Sequence, residues 1–142
     1  MAVVRQVVIA AAALLATLLY YGCEEETYLQ GKAIYEYKCA NCHMVSGEGL
    51  LGNIPPLAGS DWLVDHRSEI ACIIRYGYED SLYVNGIGYE AKMAGHPTLT
   101  ETEIANVTNY ILTAWYNDLP PVSPAEVEAG LAGCEDWEKV KD

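Results

Sequence analysis

Cys39-Ala40-Asn41-Cys42-His43 decides how this chain is read. Two thiols three residues apart fall on one side of a single helical turn, where each can add across a vinyl group of one haem. The adjoining imidazole is then held against the iron. Other chemistries of paired thiols need more than this. A structural zinc requires a second pair of ligands at similar spacing, and a thioredoxin-like redox pair follows a strand. Here the remaining cysteines are single, Cys23, Cys72 and Cys134. The segment before Cys39 reads as a helix over Thr27 to Cys39, with Tyr28, Ala33, Ile34 and Tyr35 at helical spacing. The expected cofactor is one covalently bound haem on Cys39, Cys42 and His43.

Attachment of that kind takes place outside the cytoplasm, and the start of the chain supplies the export signal. Met1 to Gln6 carries one positive charge, Arg5, and Val7 to Tyr21 is almost wholly apolar with many small residues. A permanent span usually needs about 20 apolar residues, so the shorter run suits a cleaved segment. It ends at Tyr20-Tyr21-Gly22-Cys23, where a small residue directly before a cysteine resembles a bacterial lipoprotein cleavage site, although Tyr21 departs from that pattern. Lipidation of Cys23 is one reading and an uncleaved amino-terminal anchor the other. Either ties the protein to the outer, periplasmic face of a bacterial membrane, with Glu24-Glu25-Glu26 opening a hydrated tether over 23–30.

Removing residues 1–22 leaves 120 of the 142 residues, one domain by length. Lysines and arginines fall from 8 to 7 against 20 acidic residues, a formal balance of −13. That charge argues against nucleic acid. It serves solubility, or docking to a basic partner.

Beyond His43 a glycine- and proline-rich loop, Gly47 to Gly59, precedes two short helical candidates, Asp61 to about Val64 and Arg67 to about Tyr76. Leu82 to Tyr89 reads as a hairpin turning on Asn85-Gly86. Two capping boxes open the last helices. Thr100 with Glu103 begins an amphipathic run, Ile104, Val107, Ile111 and Leu112, reaching about Trp115; Ser123 with Glu126 begins a shorter one, with Pro124 at its first position. Gly31 contradicts its helix, at a cost of roughly 1 kcal/mol. Eleven tyrosines and no phenylalanine mean that core rings carry hydroxyls in need of partners.

From Gly31 to Trp115 the chain resembles the class I cytochrome c family: Gly31, Tyr35 and Cys39 match its first helix, in which a glycine and an aromatic meet an aromatic of the last helix, here Tyr110. The resemblance implies an all-α fold of several helices around one covalently bound haem, with the small hairpin before the axial methionine. Ile54-Pro55-Pro56-Leu57-Ala58-Gly59 is similar to the family segment in which a proline carbonyl, Pro55, accepts a hydrogen bond from the haem histidine and a leucine, Leu57, packs on the ring. The implied organisation is a haem domain over 31–117 and an extension over 118–142.

The sixth ligand follows by elimination. Met1 lies in the signal and Met44 is adjacent to His43, which leaves Met93. The family places its axial methionine there, but Ala94-Gly95-His96-Pro97 follows where a proline is usual, so His96 is a rival. A thioether opposite an imidazole favours ferrous iron and leaves no open site. The function expected is therefore electron transfer between redox partner proteins in a respiratory chain, without catalysis. A fixed cytochrome subunit of a larger respiratory or dehydrogenase complex is the alternative within this chemistry. A haem enzyme or gas sensor with an open sixth site is the alternative outside it. Leu57, Tyr76, Ile87 and Tyr89 are the candidate wall residues. Cys72 and Cys134 are left over; a bridge between them would staple the extension to the middle helix, and two thiols that never meet are the other outcome.

Overall fold

The computed structural model describes residues 5–6, 25–90 and 92–136. Cys23 and the apolar run 7–21 lie outside the described residues. Helix α1 spans Glu25–Lys38 and α2 spans Ala40–His43, with Cys39 at the joint. Residues 25–30, expected in the tether, are therefore helical. Glutamates at 25 and 26 are good helix formers and suit the positive end of a helix dipole, so nothing there halts the helix short of Glu25.

Among the described residues three further helices follow: α3 (Asp61–Asp65), α4 (Ile70–Tyr76, entered through a 3-10 turn at Arg67–Glu69) and α5 (Glu101–Thr113). The long pair α1 and α5 cross at Gly31. A Cβ there would sit 2.8 Å from the Asn106 carbonyl carbon and 2.9 Å from the Tyr110 Cβ. Hydrogen in place of a side chain lets the two backbones touch, which accounts for a residue that helix propensity disfavours. Gln30 and Asn106 bond across the same crossing at 3.0 Å.

Tyr35, Ile104, Val107 and Leu112 form the fully buried centre of the core. Tyr35 donates its hydroxyl hydrogen bond to the Met44 carbonyl at 2.7 Å. A core tyrosine thus does what phenylalanine could not, because it satisfies a loop carbonyl directly after the haem motif. Tyr110 and Trp115 complete an aromatic triad, with ring centroids 5.2 and 5.0 Å from Tyr35.

Both capping boxes are present, at Thr100 with Glu103 and at Ser123 with Glu126. The helix opened by the first stops at Thr113, short of Trp115, which takes a left-handed φ of 53° within a 3-10 turn over Ala114–Tyr116. That costly conformation is held from outside the helix: the indole donates to the Val45 carbonyl at 3.1 Å while its ring packs on the triad.

Among the described residues, four short strands form two antiparallel pairs. β2 (Leu82–Val84) and β3 (Ile87–Tyr89) make the expected hairpin around Asn85-Gly86. Asp61 and Asn85 clamp it to α3, each side-chain oxygen accepting from the other's backbone N–H at 2.7 and 3.1 Å. β1 (Gly77–Tyr78) pairs with β4 (Met93–Ala94), a pairing that two-residue strands do not announce in sequence. The last helix, α6 (Pro124–Ala132), packs on α4 and α5, with Val127 buried. Leu119, Val122 and Leu131 join the same core, so the described part of the extension belongs to the domain.

Candidate functional site

The haem motif sits where α1 hands over to α2. Backbone bonds from Cys39 N to the Tyr35 carbonyl (2.8 Å) and from His43 N to the Cys39 carbonyl (2.9 Å) keep the turn helical through the joint. Cys39 is buried, Cys42 is exposed and His43 is 8% exposed, and all three line one pocket. Both thiols are free. Burial, with Cys42 adding to it, pushes the Cys39 thiol up to about 11. A disulfide-exchange nucleophile requires the opposite shift, so the thioredoxin-like reading finds no support in the geometry.

The His43 Nδ1 lies 3.2 Å from the Pro55 carbonyl oxygen. That contact assigns the proton to Nδ1 and leaves Nε2 as the basic nitrogen turned to the pocket. Burial lowers the affinity of the ring for a second proton, and the Pro55 bond opposes this only in part. The result is a neutral, oriented imidazole, the form that binds a metal. The loop that delivers Pro55 is pinned to the haem helix: Gly49 N donates to the His43 carbonyl at 3.1 Å, and Leu57 N to the Gly47 carbonyl at 2.7 Å. Asn117 secures its far end, accepting from Gly59 N at 2.7 Å and donating to the Leu57 carbonyl at 3.0 Å.

Apolar side chains dominate the wall: Ile54, Leu57, Trp62, Leu63, Ile70, Ile73, Ile74, Leu82, Val84 and Ile111. Met93 and His96 also line it, and its charged side chains are Lys38 and Lys92. The structure thus brings Cys39, Cys42, His43, Pro55, Leu57 and Met93 around one cavity. The rival His96 is there as well, its ring's affinity for a proton lowered chiefly by burial and then by Lys38. Its backbone N donates to the Ile74 carbonyl at 2.8 Å.

Three of the expected wall residues, Tyr76, Ile87 and Tyr89, are not in the lining. The hairpin presents β2 to the pocket, so Leu82 and Val84 take that role, with Tyr78 beside them. Residues two apart on a strand share a face, and Ile70, Ile73 and Ile74 share one side of α4, so both sets carried a signal in their spacing. Cys72 and Cys134 lie outside the pocket and are joined as a disulfide, with Cα atoms 5.8 Å apart.

The residues present fit a covalently attached haem: two free thiols, a neutral imidazole with one nitrogen available, an apolar wall for the macrocycle, and a thioether in the same lining. Among the described residues no group of three His, Cys, Asp or Glu side chains could hold a free metal ion. Nor is any described helix long and apolar enough to cross a membrane.

Comparison with known proteins gives the same answer. The family model for cytochrome c matches residues 28–115. Cytochrome c-552 of Thermus thermophilus is 37% identical over 89 residues, which make up 60% of this chain and 67% of that protein. The cytochrome c subunit of the quinone alcohol dehydrogenase of Gluconobacter oxydans is 30% identical over 101 residues, 69% of this chain and 21% of that subunit. With the fold, the oriented histidine and these matches in agreement, the chain belongs to the cytochrome c family, carries haem c covalently and serves electron transfer.

Proposed function

We propose that this protein is a membrane-anchored monohaem electron carrier of a bacterial respiratory chain, working on the periplasmic side. In this reading Cys39 and Cys42 would form the thioethers, His43 and Met93 would ligate the iron, Pro55 orients His43, and Leu57 would pack on the ring. The observation that carries it is the His43 to Pro55 contact at 3.2 Å, with both thiols and Met93 lining the same pocket. A haem held here supplies a one-electron ferric–ferrous couple. His43 contributes a basic imidazole whose orientation Pro55 prevents from drifting. Met93 contributes a soft sulfur that favours the ferrous form. Leu57, Trp62, Leu82 and Val84 exclude water and so reduce the solvent rearrangement that accompanies a change of charge. With His43 and Met93 both committed to the iron, no place would be left for a substrate, and the partners would be redox proteins that dock, exchange one electron and leave.

Two measurements on the purified protein test this. Acidic organic solvent should leave the pigment on the polypeptide, while Cys39→Ala or Cys42→Ala leaves at most one thioether. Met93→Ala should open the sixth position, lower the potential and admit carbon monoxide to the reduced form. An unchanged spectrum in Met93→Ala, together with an altered one in His96→Ala, would transfer the ligand role to His96.

The likeness to a dehydrogenase cytochrome subunit supports a second reading, a fixed subunit of a larger membrane complex. Co-purification separates the two. A stable respiratory or dehydrogenase assembly extracted from membranes favours the subunit, and a lone protein released by detergent favours the carrier.

A further inference from the structure

Helix α4 has the haem pocket on one flank and the carboxy-terminal segment on the other. Ile70, Ile73 and Ile74 line the pocket, while Cys72, on the far side of the helix, is bonded to Cys134. The end of α4 also carries the loop that holds Met93. His96 N donates to the Ile74 carbonyl at 2.8 Å, and the β1–β4 pairing sets Tyr78 opposite Met93. Gly95 lies so close to the helix end that a Cβ would come within 2.7 Å of Gly77 N. The Met93 loop is thus built directly on α4.

Seven residues make α4 too short to be stable by itself, so its position depends on what it packs against. It packs on α5 on one side and on the carboxy-terminal segment on the other. Arg67, in the turn that enters α4, donates to the Pro121 carbonyl. The segment is itself fixed to α5, where the Asn109 side chain brackets the Val122 backbone, donating at 2.9 Å and accepting at 2.7 Å. Val127 is 3% exposed, and the disulfide closes the arrangement.

We propose that residues 118–136, locked by Cys72–Cys134, act as a brace that holds α4 and thereby keeps the Met93 loop closed over the sixth position. This rests on the reading of Met93 as ligand. Opening of the loop is a local unfolding event, whose free energy is set by the contacts of the unit that opens. A brace on α4 raises that free energy without touching the pocket, so Cys72, Cys134 and Val127 are positioning residues.

The experiment uses the full haem-loaded protein and compares the parent with the double variant Cys72→Ser/Cys134→Ser and with Val127→Ala, which keeps the cross-link. Carbon monoxide binding to the reduced form reads the fraction of molecules with the loop open. The sulfur-to-iron absorption of the oxidised form reads Met93 ligation during heating, and far-ultraviolet circular dichroism reads global unfolding. The double variant should bind carbon monoxide about tenfold faster, because apparent binding scales with the competent fraction. It should also lose the sulfur absorption at a temperature below that of its helical transition. Val127→Ala should shift in the same direction by less, and it carries the comparison if the double variant does not accumulate. Equal carbon monoxide rates in parent and variants, beside a lowered unfolding temperature, would overturn the brace and leave a purely structural cross-link. Met93→Ala, measured alongside, separates the two failures. Unchanged binding there overturns the ligand reading and the brace with it, whereas fast binding there beside unaltered brace variants overturns the brace alone.

Discussion

Replacing Gly31 by alanine sets two effects of opposite sign against each other. In an isolated helix the change stabilises by about 1 kcal/mol, because alanine loses less backbone freedom than glycine. In this fold the new Cβ would meet the Asn106 carbonyl group, 2.8 Å from its carbon, and the Tyr110 Cβ at 2.9 Å. Neither obstacle is the end of a flexible side chain, so relief requires α1 and α5 to move apart. Overpacking of this kind costs about 1–3 kcal/mol, and a clash against backbone belongs at the upper end. The net expectation is a loss of about 2 kcal/mol, or a fall in Tm of about 8 °C for a domain of this size. Thermal and denaturant unfolding of the haem-loaded protein measures it. Ala33→Gly on the exposed side of the same helix serves as a control for propensity alone, expected to cost about 1 kcal/mol. A Tm that rises in Gly31→Ala would refute the close crossing, and with it the account of why this helix tolerates a glycine.

Two other outcomes are expected. Tyr35→Phe removes the donor to the Met44 carbonyl and should cost about 1 kcal/mol at neutral pH, read by denaturant unfolding. Burial raises the Tyr35 phenol above its ordinary value of 10.0, so its contribution is fully present below pH 10 and is lost as pH climbs toward the folded value; the parent's advantage over Tyr35→Phe should therefore shrink above pH 10, and a constant advantage would contradict the buried neutral hydroxyl. At the amino terminus, Cys23→Ser should release the domain from membranes, and the parent's mass should exceed polypeptide plus haem by its acyl groups, since durable attachment needs two chains or more. A Cys23→Ser protein that stays on the membrane would favour the uncleaved anchor.

Much of this protein was legible along the chain because the signals are local. Haem attachment needs two thiols and an imidazole within one helical turn, so Cys39, Cys42 and His43 announce themselves. Capping boxes are complete within four residues and a two-residue hairpin turn within two, and Thr100, Ser123 and Asn85-Gly86 each form the element expected. The resemblance through Gly31, Tyr35 and Pro55 carried the expectation further, to a helix crossing and a carbonyl on the histidine. Helical spacing placed the start of α1 at Thr27, inside the stretch also read as tether, and the helix begins two residues earlier, at Glu25. Local signals also overran α5, because Trp115 leaves the helix for contacts made by Val45 and Tyr35, 70 and 80 residues away in sequence.

From the sequence alone came the cofactor and its attachment residues, the capping boxes and the hairpin turn, since each is a matter of residue type at short spacing; the helical class came through the family resemblance. Only the tertiary structure decided which hairpin strand faces the pocket, that Met93 and His96 share its wall, that β1 pairs with β4, and that Cys72 meets Cys134 across 62 residues. Those outcomes depend on distances between segments far apart in the chain. Such distances are set by how α1 and α5 cross and by how α4 packs between the core and the carboxy-terminal helix, and no periodicity within a single segment encodes them.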